Sequence, residues 1–119
     1  MARPLGLIVE EMLDYIEQAS SYVHGMTFEQ YASDQKAQRA VERCIEVISE
    51  GSRHLPDDIK AQRPDIPWRD VATIGNVLRH RYHTVAARII WGTVNLDLPA
   101  LQVALLAIAA GLPPDEQAE

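Results

Sequence analysis

The sequence predicts an all-α fold, a bundle of four or five helices, and three observations carry that prediction. Apolar residues recur at three- and four-residue spacing along most of the chain. No stretch keeps the strict alternation of a half-buried strand. The breaks between periodic runs hold capping residues, glycine or proline. At 119 residues, 47% hydrophobic and 24% charged, the chain has the size and composition of one domain around one core.

The first run, "PLGLIVEEMLDYIEQASSYVHG", sets Leu5, Ile8, Met12, Ile16, Ala19 and Val23 on one helical face, with Pro4 near the start and Gly25 just past the end. Thr27 and Gln30 have capping-box spacing and open a brief helical turn through Tyr31. Ser33 or Asp34 is placed as the cap of a second long helix. Its stripe is Ala37, Val41, Cys44, Ile45 and Ile48, and Pro56 bounds it. "RPDIPWRD" is a turn cluster, with Pro67 suited to a first helical turn, and Trp68, Val71, Ile74 and Leu78 form one face of the third helix. Thr84 is placed as the cap of a fourth helix with Ile89, Ile90, Trp91 and Val94 on its apolar side. Asp97 is placed as the cap of a fifth, Leu98 to Ala110, stopped by Gly111 and two prolines. Residues 1–112 thus read as a single helical domain and 113–119 as a short polar tail, with no repeat, low-complexity tract or linker.

Several classes of function are disfavoured. No apolar run approaches the ~18 residues of a membrane span. The opening "MARPLGLIVEEML" mixes acids into its apolar stretch, unlike a secretory signal. The lone Cys44 excludes an intrachain disulfide and fits a reducing, cytoplasmic setting. It also falls on the core stripe, which argues against a nucleophile.

Charge is unevenly spread. The chain carries −6, yet residues 63–90 hold Arg63, Arg69, Arg79, Arg81 and Arg88 against Asp65 and Asp70, a net +3, so the remainder carries −9. No Asp or Glu occurs from Val71 to Leu96. An acidic protein repels a polyanion at long range, so contact with nucleic acid requires a local patch of this kind. Cations complementing a helix C-terminus would give the same pattern.

Within that segment His80, Arg81, Tyr82 and His83 fall where the third helix should end. A neutral imidazole can take a proton from a ribose 2′-hydroxyl, and its protonated form can return one to the leaving oxygen. A nearby guanidinium can hold the phosphate and stabilise its growing charge. These ingredients describe metal-independent RNA cleavage, and surface imidazoles capping carbonyls are the plain alternative. A metal site at His80 and His83 lacks further ligands in the segment, and no cofactor is implied. On the second long helix Arg43, Glu46 and Glu50 form a polar stripe. It is either solvated surface or the lining of a cleft facing the third helix.

Three runs carry a family likeness: "GMTFEQYASDQKAQRAVERCIEVISEGSRHL", "IPWRDVATIGNVLRHRYHTV" and "IIWGTVNLDLPAL". With their "MTF", "IPW", "HxY" and "DLP" elements in order, the chain resembles the HepT-like branch of the HEPN ribonuclease toxins over nearly its whole length. The resemblance implies a four- to five-helix HEPN bundle forming a two-fold homodimer, with the catalytic cleft at the subunit interface. The family motif is Arg, four residues, His, any residue, Tyr. It puts His80 in the general acid/base role and Tyr82 at the motif tyrosine, whereas the arginine position is Gly75, followed by the usual Asn76. Arg79, Arg81, Arg43 and Arg69 are the chain's own candidates to bind RNA phosphate or replace that cation. Family members pair with a minimal nucleotidyltransferase antitoxin similar to MntA, which transfers AMP to the motif tyrosine, here Tyr82. The resemblance therefore implies a toxin of a toxin–antitoxin system acting on RNA. Gly75 keeps open a non-catalytic dimeric binding protein that engages the nucleotidyltransferase.

Overall fold

The computed structural model describes residues 3–80 and 83–118, the side chains of residues 77–85 excepted. Among the described residues every regular element is helical, so the chain is all-α as its periodicity predicts.

Helix α1 (Leu5–Val23) buries Ile8, Val9, Met12, Ile16, Ala19 and Val23 along one stripe. It stops where Gly25 takes φ 75°, a backbone conformation that glycine adopts without steric cost. The predicted capping box opens α2 (Phe28–Ala32): Gln30 N–H donates to Thr27 Oγ1 at 3.1 Å, and Thr27 N–H donates to Gln30 Oε1 at 2.9 Å. Of the two candidate caps for α3 (Gln35–Arg53), Asp34 serves, accepting from Ala37 N–H at 3.0 Å. α3 buries the expected Ala37, Val41, Cys44, Ile45 and Ile48. It also buries Gln38, whose Nε2 donates to the carbonyls of Tyr31 and Ala32 at 2.8 and 3.0 Å and ties the end of α2 to α3. α1 and α3 approach closely at Gly51, where a Cβ would stand 2.6 Å from Met12 Cγ.

A four-residue helix, α4 (Asp57–Lys60), follows Pro56; it is too short to leave a periodic signal. The "IPW" turn works as an anchor. Ile66 is buried, and the Trp68 indole N–H donates to both the Lys60 and Arg63 carbonyls at 3.0 Å. α5 (Trp68–His80) then runs antiparallel to α3. Their contact is polar as well as apolar: Ser49 Oγ and Arg53 donate to the Ala72 carbonyl at 2.9 and 2.8 Å.

The expected break at Asp97 does not occur. α6 (His83–Gly92) continues through a π-helical turn (Thr93–Asp97) into α7 (Leu98–Ala110). Asp97 has helical φ and ψ and makes no side-chain cap. The cause is Pro99, which has no N–H to donate and whose ring would strike the carbonyl four residues back. Widening the turn so that Leu98 N–H reaches the Thr93 carbonyl accommodates it without ending the helix. Thr93 Oγ1 and Asn95 Nδ2 donate to the Ile89 and Trp91 carbonyls at 2.9 and 2.8 Å, satisfying backbone acceptors around the widened turn. The proposed cap Thr84 has its side chain outside the described residues, and α6 already begins at His83.

This continuity corrects the expectation about apolar length. Ala86–Ala110 is a 25-residue helix whose best window has a mean hydropathy of 1.6, long and apolar enough to cross a membrane. Its buried row (Ala86, Ala87, Ile90, Val94, Leu98, Leu101, Ala104, Leu105, Ile108) nevertheless lies within the protein, as in a core helix. At ~1.5 Å per residue the run from His83 to Ala110 is about 42 Å long, close to the 45 Å long axis of the molecule. α1 spans only about 28 Å by the same rise. The residues after α7 fold back: Leu112 is buried, and the Glu116 carboxylate accepts Leu5 N–H at 2.7 Å, covering a free donor at the start of α1. With both helices aligned at that end, α6 projects beyond the far end of α1.

Candidate functional site

The projecting α6 and the end of α5 form a helical hairpin, and this is where the predicted motif falls. His80 is the last residue of α5, and its side chain lies outside the described residues, as do those of Arg79, Arg81 and Tyr82. Gly75 is half-buried and Asn76 exposed, both in the third turn of α5. The Ala72 carbonyl gripped by Ser49 and Arg53 is one turn before Asn76, so the motif helix is held to α3 immediately beneath the motif.

Helical rise places the other candidates. Counting from the Ser49–Ala72 contact, the antiparallel register sets Glu46 level with Gly75, and Arg43 level with the last turn of α5. Both are exposed. Glu50 stands lower, level with Val71 near the start of α5, and faces His54 at 3.9 Å. Arg69 is exposed in the first turn of α5, about 16 Å of helical rise from His80. Of the four candidate arginines, Arg43 is thus brought toward the motif end and Arg69 is kept at the opposite one. Cys44 is buried, and burial raises its thiol pKa, in keeping with a core residue.

Two features escaped the sequence. One is the support of the projecting helix. Trp91 is packed edge-on against Phe28 (centroids 6.2 Å, 66°) and tilted against Tyr31 (5.4 Å, 35°), so α2 acts as a bracket under α6. The other is the seating of Arg88, already one of the segment's cations, whose guanidinium carbon sits 4.2 Å from the centre of the Phe28 ring. Only the "MTF" element and the aromatic at 91 hinted at the bracket; contacts between residues sixty apart leave no periodic trace.

A family model described as "Ribonuclease HepT-like" matches residues 12–108, which takes in the bracket, the α3–α5 pair and the hairpin. The chain belongs to that family. It is 37% identical over 94 residues to a protein of Thermococcus cleftensis named "Probable ribonuclease HepT", covering 79% of this chain and 86% of that one. It is 36% identical over 92 residues to a "Putative RNase" of Methanocaldococcus jannaschii, covering 77% and 73%. A further "Putative RNase", from Caldanaerobacter subterraneus, is 32% identical over 94 residues, covering 79% and 84%. No solved structure matches the chain. The family assignment agrees with the resemblance read from the three sequence runs.

The bracket carries a testable cost. Tyr31 is 1% exposed, and among the described residues its hydroxyl has no hydrogen-bond partner. Burial, and then the nearby Glu42 carboxylate, pushes its pKa from 10.0 up to about 12. A raised folded-state pKa means that the stability held below pH ~10 is lost as pH climbs through ~12. Tyr31→Phe keeps the packing and removes the unpartnered hydroxyl. It should match or exceed the parent in stability at pH ~7, by up to ~1 kcal/mol, and lose less between pH ~10 and ~12. Denaturant titrations followed by circular dichroism at the two ends of that range check both statements. A less stable variant with an equally steep alkaline loss would show that the hydroxyl has a partner.

Proposed function

We propose that this protein is an RNA endonuclease, the toxin of a toxin–antitoxin pair, with His80 as general acid/base at the α5–α6 hairpin. The observation that carries the reading is the match of residues 12–108 to the HepT-like ribonuclease family, with the His80-x-Tyr82 pair at the motif position. The acid-free segment Val71–Leu96 supports it, because it offers an RNA strand cations without opposing carboxylates. In this reaction neutral His80 accepts the proton of a ribose 2′-hydroxyl, and the 2′-oxygen attacks the adjacent phosphorus. The 5′-oxygen leaves with a returned proton, giving a 2′,3′-cyclic phosphate and a 5′-hydroxyl.

Gly75 is the specific observation behind a second reading, a non-catalytic dimer that binds the nucleotidyltransferase and RNA. A transition-state donor is typically worth ~10²–10³ in rate, and glycine offers none. Incubating the protein with tRNA in EDTA, alongside Gly75→Arg and His80→Ala, decides between the two. Cleavage that rises ~10²–10³-fold in Gly75→Arg and vanishes in His80→Ala supports the nuclease. Absence of cleavage even in Gly75→Arg removes it and leaves the binding protein.

Regulation follows from Tyr82. A minimal nucleotidyltransferase similar to MntA transfers AMP from ATP to its hydroxyl with release of pyrophosphate. The added phosphate then repels RNA beside His80. Intact-mass spectra taken after mixing with that enzyme and ATP should show an AMP increment that is absent in Tyr82→Phe; an increment surviving in the variant places the acceptor elsewhere.

The homodimer reading is supported by α7. From Leu98 to Pro114 the chain has no charged residue. Leu96, Val103 and Leu106 are exposed at 74%, 60% and 55%. Leu96, Ala100, Val103, Ala107 and Ala110 follow one another at alternating spacings of four and three, the seam of a helix pair, with alanines that permit close approach. Two copies of a −6 chain repel, so a shared face must exclude carboxylates, and this one does. Val103→Glu buries an unpaired charge in that seam and should weaken the dimer more than ~100-fold. Light scattering should then report a monomer with unchanged helical content. A dimer of undiminished affinity would exclude this face.

A further inference from the structure

We infer that Arg88, held flat on Phe28, is a phosphate clamp that positions the RNA strand beside the hairpin. The inference rests on the RNA reading above and adds a site to it.

Arg88 is exposed, yet its guanidinium is not free to wander: it lies 4.2 Å from the centre of the Phe28 ring. The ring is itself fixed from two sides, by the capping box that defines α2 and by the edge-on contact with Trp91. Stacking occupies one face of the guanidinium and leaves its edge donors available, the geometry that grips phosphate oxygens in pairs. Among the described residues no carboxylate pairs with Arg88, although the chain has seventeen acids against eleven lysines and arginines. By itself an exposed cation–π contact contributes only ~0.5–1 kcal/mol, a small return for immobilising so flexible a side chain. Immobilisation gains value if a ligand follows, because the ordering cost has then been met in advance.

The surroundings give the clamp a direction. Arg88 lines an open groove of about 500 Å³ between α5 and α6, with Thr73, Ile74 and Ile89. Asp70 and Asp97 line the same groove, and Asp97 is nine residues along the continuous helix from Arg88, about 13 Å of rise. A polyanion is therefore attracted at the Arg88 end and repelled at the Asp end. The cationic end is the one nearer the α5–α6 connection: Arg88 lies five residues after His83, about 8 Å of rise into α6. A strand held there is delivered to the His80 motif and kept off the base of the hairpin.

The test uses the full chain and a short, labelled, fully 2′-O-methylated single-stranded RNA, which cannot be cut because its nucleophile is blocked. Binding is followed by fluorescence anisotropy across a salt series, and each variant's fold is checked by circular dichroism. Arg88→Gln should weaken binding about tenfold and flatten the slope of log K against log salt by ~0.7, the loss of one phosphate contact on a single strand. Arg88→Lys should keep the slope but only part of the affinity. Phe28→Leu should keep the slope and bind severalfold more weakly, because the guanidinium loses its platform. These changes in slope would not follow from a purely structural role. If the parent binds and Arg88→Gln matches it in affinity and slope, the clamp is overturned and the RNA reading stands. If neither the parent nor Gly75→Arg binds the RNA, both are overturned together.

Discussion

The architecture depends on one helix crossing a proline without ending. Pro99 removes a donor and intrudes on the preceding turn, and in most contexts the helix would stop there. Here the π turn at Thr93–Asp97 takes up the mismatch, with Thr93 and Asn95 side chains covering backbone carbonyls. The result is a single rod from His83 to Ala110 that is anchored in the core at one end and projects past α1 at the other. Had the chain broken at Asp97, α6 would have been a separate short helix free to fold down onto the bundle. The projection calls for the aromatic bracket of Phe28, Tyr31 and Trp91.

The site is assembled from elements with different physical tasks. α3 fixes the backbone of α5 through the Ala72 carbonyl, just below the motif. α2 fixes α6 through apolar and aromatic contact. The two supports are independent, one polar and one not, and they converge on the hairpin between them. Gly75 sits within the well-anchored part of α5, a helix that forms with glycine in its third turn.

Much of this was legible in the sequence. The stripes of α1 and α3, the capping box at Thr27 and the cap at Asp34 are local, and local patterns record them faithfully. The family likeness found the hairpin because motif residues are close in sequence. Asp97 misled because an Asp before Leu-Pro carries the signature of a helix start, and the competing option, a widened turn, has no compositional mark. The bracket and the Arg88–Phe28 stack join α2 to α6 across sixty residues. Such pairings depend on tertiary register, which no window of a single sequence reports.

The strap formed by Glu116 and Leu5 has a practical corollary. It gathers the first turn of α1 and the turn at Pro114–Glu116 at one pole, roughly the length of the rod from the hairpin. A fluorophore or affinity handle attached beside either residue therefore stands far from the hairpin. Molecules tethered to a sensor surface through that pole would present the hairpin outward, unobstructed by the tether.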